Sequence, residues 1–150
     1  DPEVYPEVPQ IAIGRAETLR DGSDLTIIAT GSEVHPALLA AEELAASGIS
    51  TRVVDMFTIS PLDREAVLDA ARSTGAVLTV EEANRTGGLG SAVAECLLEA
   101  GVRVPFCRHG VPDEHVPVGP PAALYAHYRL DGPGIAVVAR ELLESGGTST

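Results

Sequence analysis

With 150 residues and 15.5 kDa, the chain is long enough for one packed domain and too short for two of ordinary size. Apolar residues make up 45% and charged residues 21%, the composition of a globular protein rather than a disordered one. The formal net charge is −12 and all 10 basic residues are arginine, which excludes lysine Schiff-base and P-loop lysine chemistry and speaks against phosphate-rich nucleic acid as a partner.

Asp1 to Gln10 carries Pro2, Pro6 and Pro9 among acidic and apolar residues and reads as an extended linker leaving an upstream segment. From Ile11 an apolar run is interrupted at Asp21-Gly22 and resumes as Leu25 to Ala29, which predicts a hairpin-like entry into a sheet. The second run is continuous rather than alternating, as expected of a strand buried on both faces. Val34, Leu38, Ala41 and Leu44/Ala45 then recur at helical spacing, with Ser32 as the expected N-cap and Gly48 as the stop.

Thr51 to Asp55 reads as the next strand, Pro61-Leu62-Asp63 as the start of a helix to about Thr74, and Ala76 to Val80 as a further strand. A polar, glycine-rich loop from Glu81 to Gly90 leads into a helix carrying Val93, Cys96, Leu97 and Ala100. Val104 to Arg108 supplies a short strand, Pro120 to Tyr128 one or two helical turns, and Gly134 to Glu144 an amphipathic helix through Ile135, Val138 and Leu142. Ser145 to Thr150 is expected to fray. Strand and helix in alternation predict an α/β fold with a mainly parallel sheet and right-handed crossovers.

No apolar run approaches the roughly 20 residues that a membrane-spanning helix needs, and no signal-peptide pattern precedes the domain, so the expected location is cytoplasmic, with no membrane partner. Cys96 and Cys107 form no C-x-x-C pair and read as small buried hydrophobes.

Ligands of open α/β sheets gather beyond the carboxyl ends of the parallel strands. Four segments converge there: Thr30 to Glu33, Asp55 to Ser60, Glu81 to Gly90, and His109-Gly110. Gly87, Gly88, Gly90 and Ser91 at a helix start form a candidate anion site, although Val93 breaks the G-x-G-x-x-G fingerprint; the alternative is that these glycines permit a close backbone approach. Glu81 and Glu82 are candidate acid–base groups or structural carboxylates, but adjacent strand residues point to opposite faces, which argues against a dyad. Ser32 and His35 lack a partner that completes a triad, and His109, His115 and His127 match no metal-ligand spacing. Composition and spacing alone therefore yield a fold class and no catalytic centre.

Several of these segments together resemble one family. Gly22 to Val34 (GSDLTIIATGSEV), Val54 to Asp63 (VDMFTISPLD), Thr79 to Glu82 (TVEE), Gly87 to Val93 (GGLGSAV) and Gly110 to Asp113 (GVPD) resemble, in order, the transketolase C-terminal domain, across roughly Ile11 to Leu143. Similar domains occur in 1-deoxyxylulose-5-phosphate synthase and in the beta subunits of 2-oxoacid dehydrogenases. The resemblance implies a three-layer α/β/α domain at residues 11–144, with a five-stranded mixed sheet of four parallel strands and an antiparallel first strand at about Ile11 to Arg15.

The resemblance also implies an enzyme that transfers a two-carbon ketol unit between sugar phosphates. Thiamine diphosphate and magnesium would lie between pyrophosphate- and pyrimidine-binding domains upstream or on a separate subunit, in a homodimer. The family's G-D-G…N-N diphosphate motif is absent, so no catalytic, cofactor-binding or metal residue carries over, and the isolated chain is expected to be inactive. The Glu81 to Gly90 loop is expected nearest the interdomain contact. The alternative expectation is a free-standing module that takes a small anionic metabolite in the strand-end cleft.

Overall fold

A computed structural model describes residues 3–146. Its elements in chain order are β1 (Ala16–Arg20), β2 (Leu25–Ala29), a 3₁₀ turn (Gly31–Glu33), α1 (Val34–Ala46), β3 (Thr51–Met56), α2 (Arg64–Ser73), β4 (Val77–Asn84), α3 (Leu89–Glu99), β5 (Phe106–Val111), α4 (Pro121–His127) and α5 (Gly132–Ser145). The sheet order is β1-β3-β2-β4-β5. β3, β2, β4 and β5 run parallel and β1 lies antiparallel on the β3 edge, the five-stranded mixed sheet that the resemblance implies.

Alternation along the strands divides the core. Ile27, Val53, Leu78 and Val80 face α1 and α5, where Ala37, Leu44, Ile135 and Leu142 meet them. Ile28, Val54 and Val77 face α2 and α3, against Val67, Leu89, Val93 and Leu97. Cys96 is buried in this second layer and Cys107 is half-buried against the first. All five residues of β2 are buried, because strands flank it on both sides and helices cover both faces.

The predicted hairpin does not form: β1 pairs with β3, and β3 separates it from β2. A strand buried on both faces needs two strand neighbours, whereas the half-exposed β1 is suited to an edge. Gly22 carries the chain across the start of β3, where a Cβ would collide with the backbone of Thr51 and Arg52. The first strand also begins later than expected. Ile11 and Ile13 are exposed, and Gly14, at φ +77°, turns the chain into β1 at Ala16.

Ser32 does not cap α1. It lies in the 3₁₀ turn, and the cap position falls to Glu33, whose side chain makes no capping bond. Gly48, at φ +79°, does end this helix, with Ile49 N–H reaching Leu44 O at 3.0 Å and Gly48 N–H reaching Ala45 O at 3.0 Å, the Schellman pattern. β4 outruns its predicted end at Val80 and continues through Asn84, so Glu81 and Glu82 are strand residues. α5 reaches Ser145 and Gly146 follows in the left-handed region; residues 147–150 of the expected frayed tail, with Asp1 and Pro2 of the linker, lie outside the described residues. No described helix is long and apolar enough to cross a membrane.

Candidate functional site

The strand order places the exits of β2 and β4 side by side, and the candidate residues divide between the two faces of the sheet there. Glu81 shares the face of Val77 and Thr79 and points toward α3; Glu82 shares the face of Leu78 and Val80 and points toward α1 and α5. The pair is thus divided between two environments and makes no dyad.

On the α3 side, Glu81 is 2% exposed and its carboxylate accepts hydrogen bonds from Leu89 N–H (2.8 Å) and Gly90 N–H (2.9 Å), the first free donors of the helix. The glycines permit this approach. A Cβ on Gly88 would overlap the Glu81 carboxylate, and one on Gly90 would lie 2.8 Å from both Arg108 Cγ and Thr79 Oγ1. Ser91 accepts from Gly87 N–H at 2.9 Å and from the Arg108 guanidinium at 3.0 Å. The fold brings Glu81, Gly87, Gly88, Gly90 and Ser91 together, with an internal carboxylate at this helix start, and an external anion would have to compete with it for the Leu89 and Gly90 donors.

On the α1/α5 side, the Ser32 hydroxyl donates to Glu82, and Tyr125 of α4 adds a second hydrogen bond to the same carboxylate. These two bonds hold Glu82 below the usual carboxylate range, led by the Ser32 contact. Beside them is a cleft of about 480 Å³, lined by Ser32, His35, Leu39, Tyr125, Asp131 and Gly132 among others. Tyr125 and Leu130 separate it from a neighbouring cleft of about 330 Å³ that contains Glu82 and Tyr128. Asp131 caps α5 through Gly134 N–H at 2.9 Å.

The residue that motif reading missed is Glu33. Its side chain is 0% exposed and neither carboxyl oxygen has a hydrogen-bond partner. Burial, reinforced by Glu82 and Asp131, pushes it up to about 8, so it is predominantly protonated at neutral pH. A signal existed: extended back from Ala37 and Ala41 at four-residue steps, the buried stripe of α1 falls on Glu33. A carboxyl group on a core stripe is costly unless something compensates it.

The other converging segments are tied down structurally. Asp55, at the end of β3, accepts from the Tyr5 hydroxyl at 2.7 Å, which fastens the linker to the sheet; burial raises both groups. His109 Nε2 bonds to the Arg129 carbonyl at 2.8 Å, and burial lowers its pKa. His127 packs edge-on against Tyr128. Among the described residues, no group of three or more His, Cys, Asp or Glu side chains could hold a metal ion. The Ser32 hydroxyl is engaged by the Glu82 carboxylate, and no nucleophile–base–orienter set results among the described residues.

Comparison with known proteins places this arrangement. The family model described as "Transketolase, C-terminal domain" matches residues 14–135. One subunit of the apulose-4-phosphate transketolase of Phocaeicola vulgatus is 45% identical over 95% of this chain and 46% of its own length. The 1-deoxy-D-xylulose-5-phosphate synthase of Syntrophotalea carbinolica is 44% identical over 94% of this chain and 22% of its own length. A solved structure described as a split gene transketolase, inactive beta4 tetramer, superposes with a TM-score of 0.88 at 40% identity, covering 98% of this chain and 46% of that one. The chain thus spans less than half the length of each of these relatives.

Proposed function

The chain belongs to the transketolase C-terminal domain family, and from that premise we propose that it serves an enzyme transferring a two-carbon ketol unit between sugar phosphates with thiamine diphosphate. The observation that carries this reading is the identity of 45%, across 95% of the chain, to one subunit of a transketolase whose subunits are separate polypeptides. The catalytic domains then lie upstream or on a partner subunit, and the complete enzyme is a homodimer of such assemblies.

Thiamine diphosphate and magnesium do not fit the described residues of this chain. The α3 N-terminus, which has the donors a diphosphate needs, holds Glu81 instead, and the described residues offer no metal-ligand cluster. No step of the reaction is routed through these residues; they supply packing and contact surface. We assign the interdomain contact to the exposed loop Arg85 to Gly87 and to the N-terminal segment, where Val8 is 95% and Ile13 is 79% exposed.

The test mixes the purified chain with a polypeptide carrying the pyrophosphate- and pyrimidine-binding domains, thiamine diphosphate and magnesium, and follows ketol transfer from a ketose phosphate to an aldose phosphate. Turnover that requires both polypeptides is expected, together with no magnesium-dependent binding of thiamine diphosphate to the chain alone by calorimetry. Ketol transfer by the chain alone, or micromolar cofactor affinity of the chain alone, would overturn the proposal.

A further inference from the structure

We propose that the hydrogen bond from the Tyr5 hydroxyl to Asp55 is a latch that holds residues 6–13 as a preformed apolar loop, and that this loop docks on the adjoining catalytic domain, with Tyr5 and Asp55 as positioning residues for the assembly. The docking half rests on the ketol-transfer reading. The latch half is tested on the chain alone.

The proline-rich start of the sequence reads as an extended linker, yet the segment is closed at both ends on the connection that leaves β3. At one end Val4 packs on the α1/α5 core layer, the Tyr5 hydroxyl donates to Asp55 Oδ2 at 2.7 Å, and the Tyr5 ring centre lies 6.4 Å from that of Phe57. At the other end Gly14 N–H donates to Thr58 Oγ1 at 2.9 Å, and that hydroxyl in turn donates to the Pro61 carbonyl at 2.8 Å. Asp55 and Thr58 are neighbours on one short connection, so the ends of the loop are held near each other, as in an Ω-loop. Within it, Pro6 and Pro9 restrict the backbone, and Ile11 N–H bonds to the Pro9 carbonyl at 3.1 Å.

Asp55 makes poor sense as a stability device. It is buried on the face of Val53, and the β1–β3 register sets Glu17 directly opposite it on that same face. Like charges directly opposite across an antiparallel pair are destabilising, and a buried carboxylate is costly without a partner. Among the described residues, Tyr5 supplies the one side-chain hydrogen bond that Asp55 makes. An apolar residue would complete β3 without these costs and without the latch, so the bond to the N-terminal segment is what the carboxylate contributes.

The latched loop is apolar. Val8 is 95%, Ile11 67% and Ile13 79% exposed, and exposed apolar surface gathered in one segment marks an interaction face. Glu3 and Glu7 flank it and no basic residue precedes Arg15, so the surface it fits is apolar with a basic rim. The occupant is the adjoining catalytic domain: the match to the Phocaeicola vulgatus relative covers 46% of that protein, which leaves more than half of its length for a neighbour, and the loop stands at the entry to β1, where an upstream domain connects. A loop already held in its docked shape loses less conformational freedom on association, which is what the latch provides.

The experiment compares the parent chain with Tyr5→Phe, Asp55→Asn and the double variant Ile11→Ser, Ile13→Ser. In the ¹⁵N-labelled chain alone, amides of residues 7, 8 and 10–13 should have order parameters near about 0.85 in the parent and below about 0.6 in Tyr5→Phe, with the amides of β2 and β4 unmoved. Asp55→Asn keeps an acceptor for the phenol and should keep the loop ordered. Calorimetry with a polypeptide carrying the pyrophosphate- and pyrimidine-binding domains should show affinity falling at least about tenfold in Tyr5→Phe and in the double variant, the latter with its latch intact. A loop that is mobile in the parent, or equally ordered in Tyr5→Phe, would overturn the latch whatever the assembly does. Assembly of unchanged affinity in the double variant, or self-association of the parent that the double variant abolishes, would overturn the catalytic domain as occupant. A parent chain that does not assemble at all would overturn the docking half together with the ketol-transfer reading, while the order parameters still decide the latch.

Discussion

Replacing Glu81 by alanine should damage the domain more than the loss of any exposed carboxylate. Two hydrogen bonds at 2.8 and 2.9 Å join this buried side chain to the N-terminus of α3. A hydrogen bond to a charged group is worth about 1.5–3 kcal/mol, and the favourable placement of an anion at a helix N-terminus adds about 0.3–1 kcal/mol. Loss of both bonds in a water-poor site should therefore cost about 4 kcal/mol, which at about 2–4 °C per kcal/mol lowers Tm by about 8–16 °C. Glu81→Gln retains one acceptor oxygen and should lose about half as much. The assay is urea unfolding monitored by circular dichroism, with and without inorganic phosphate. With the carboxylate removed, the Leu89 and Gly90 N–H groups are open to an external anion, so phosphate should restore part of the loss in Glu81→Ala beyond any general salt effect on the parent. A cost below about 1 kcal/mol, or an equal phosphate effect on parent and variant, would refute the assignment of Glu81 as the internal anion of α3.

Glu33 should make stability fall with rising pH: its folded-state value of about 8 exceeds the usual 4.5, so its contribution is fully present below pH 4.5 and is lost progressively up to about pH 8. Glu33→Gln should remove up to about 1.4 kcal/mol per pH unit of that slope in urea unfolding between pH 5 and 8, and an unchanged slope would refute it. Gly22→Ala should destabilise severely, as a Cβ there meets the backbone of Thr51 and Arg52; thermal unfolding within about 1 °C of the parent would contradict the close crossing. Asp63→Ala removes the α2 cap to Ala66 N–H (3.0 Å) and the bond to Ala16 N–H (2.9 Å) that ties β1 to α2, for a combined loss of about 2–3 kcal/mol in chemical denaturation; a change under about 0.5 kcal/mol would contradict it.

Local pattern made much of this molecule legible. The unbroken apolar run of β2 announced a strand covered on both faces, and the spacing of Ile135, Val138 and Leu142 announced the buried face of α5. Gly48 marked the end of α1, and Asp63 the start of α2, because caps are chemistry within a few residues of chain. The opposition of Glu81 and Glu82 also followed from strand geometry alone. Ordered motifs across most of the chain indicated the family before any contact was known.

What the chain could not disclose locally were relations between distant residues. Asp21-Gly22 looked like a hairpin, yet strand order depends on which edges remain to be paired, and β3 took the place beside β1. The glycines before α3 looked ready for an external anion, and only packing brought the Glu81 carboxylate onto the same two N–H groups. Glu33 is one acidic residue among 22 in the sequence; the four-residue stripe of α1 pointed to its burial, but only the fold brings Glu82 and Asp131 near enough to reinforce its shift, because like-charge repulsion arises from three-dimensional proximity.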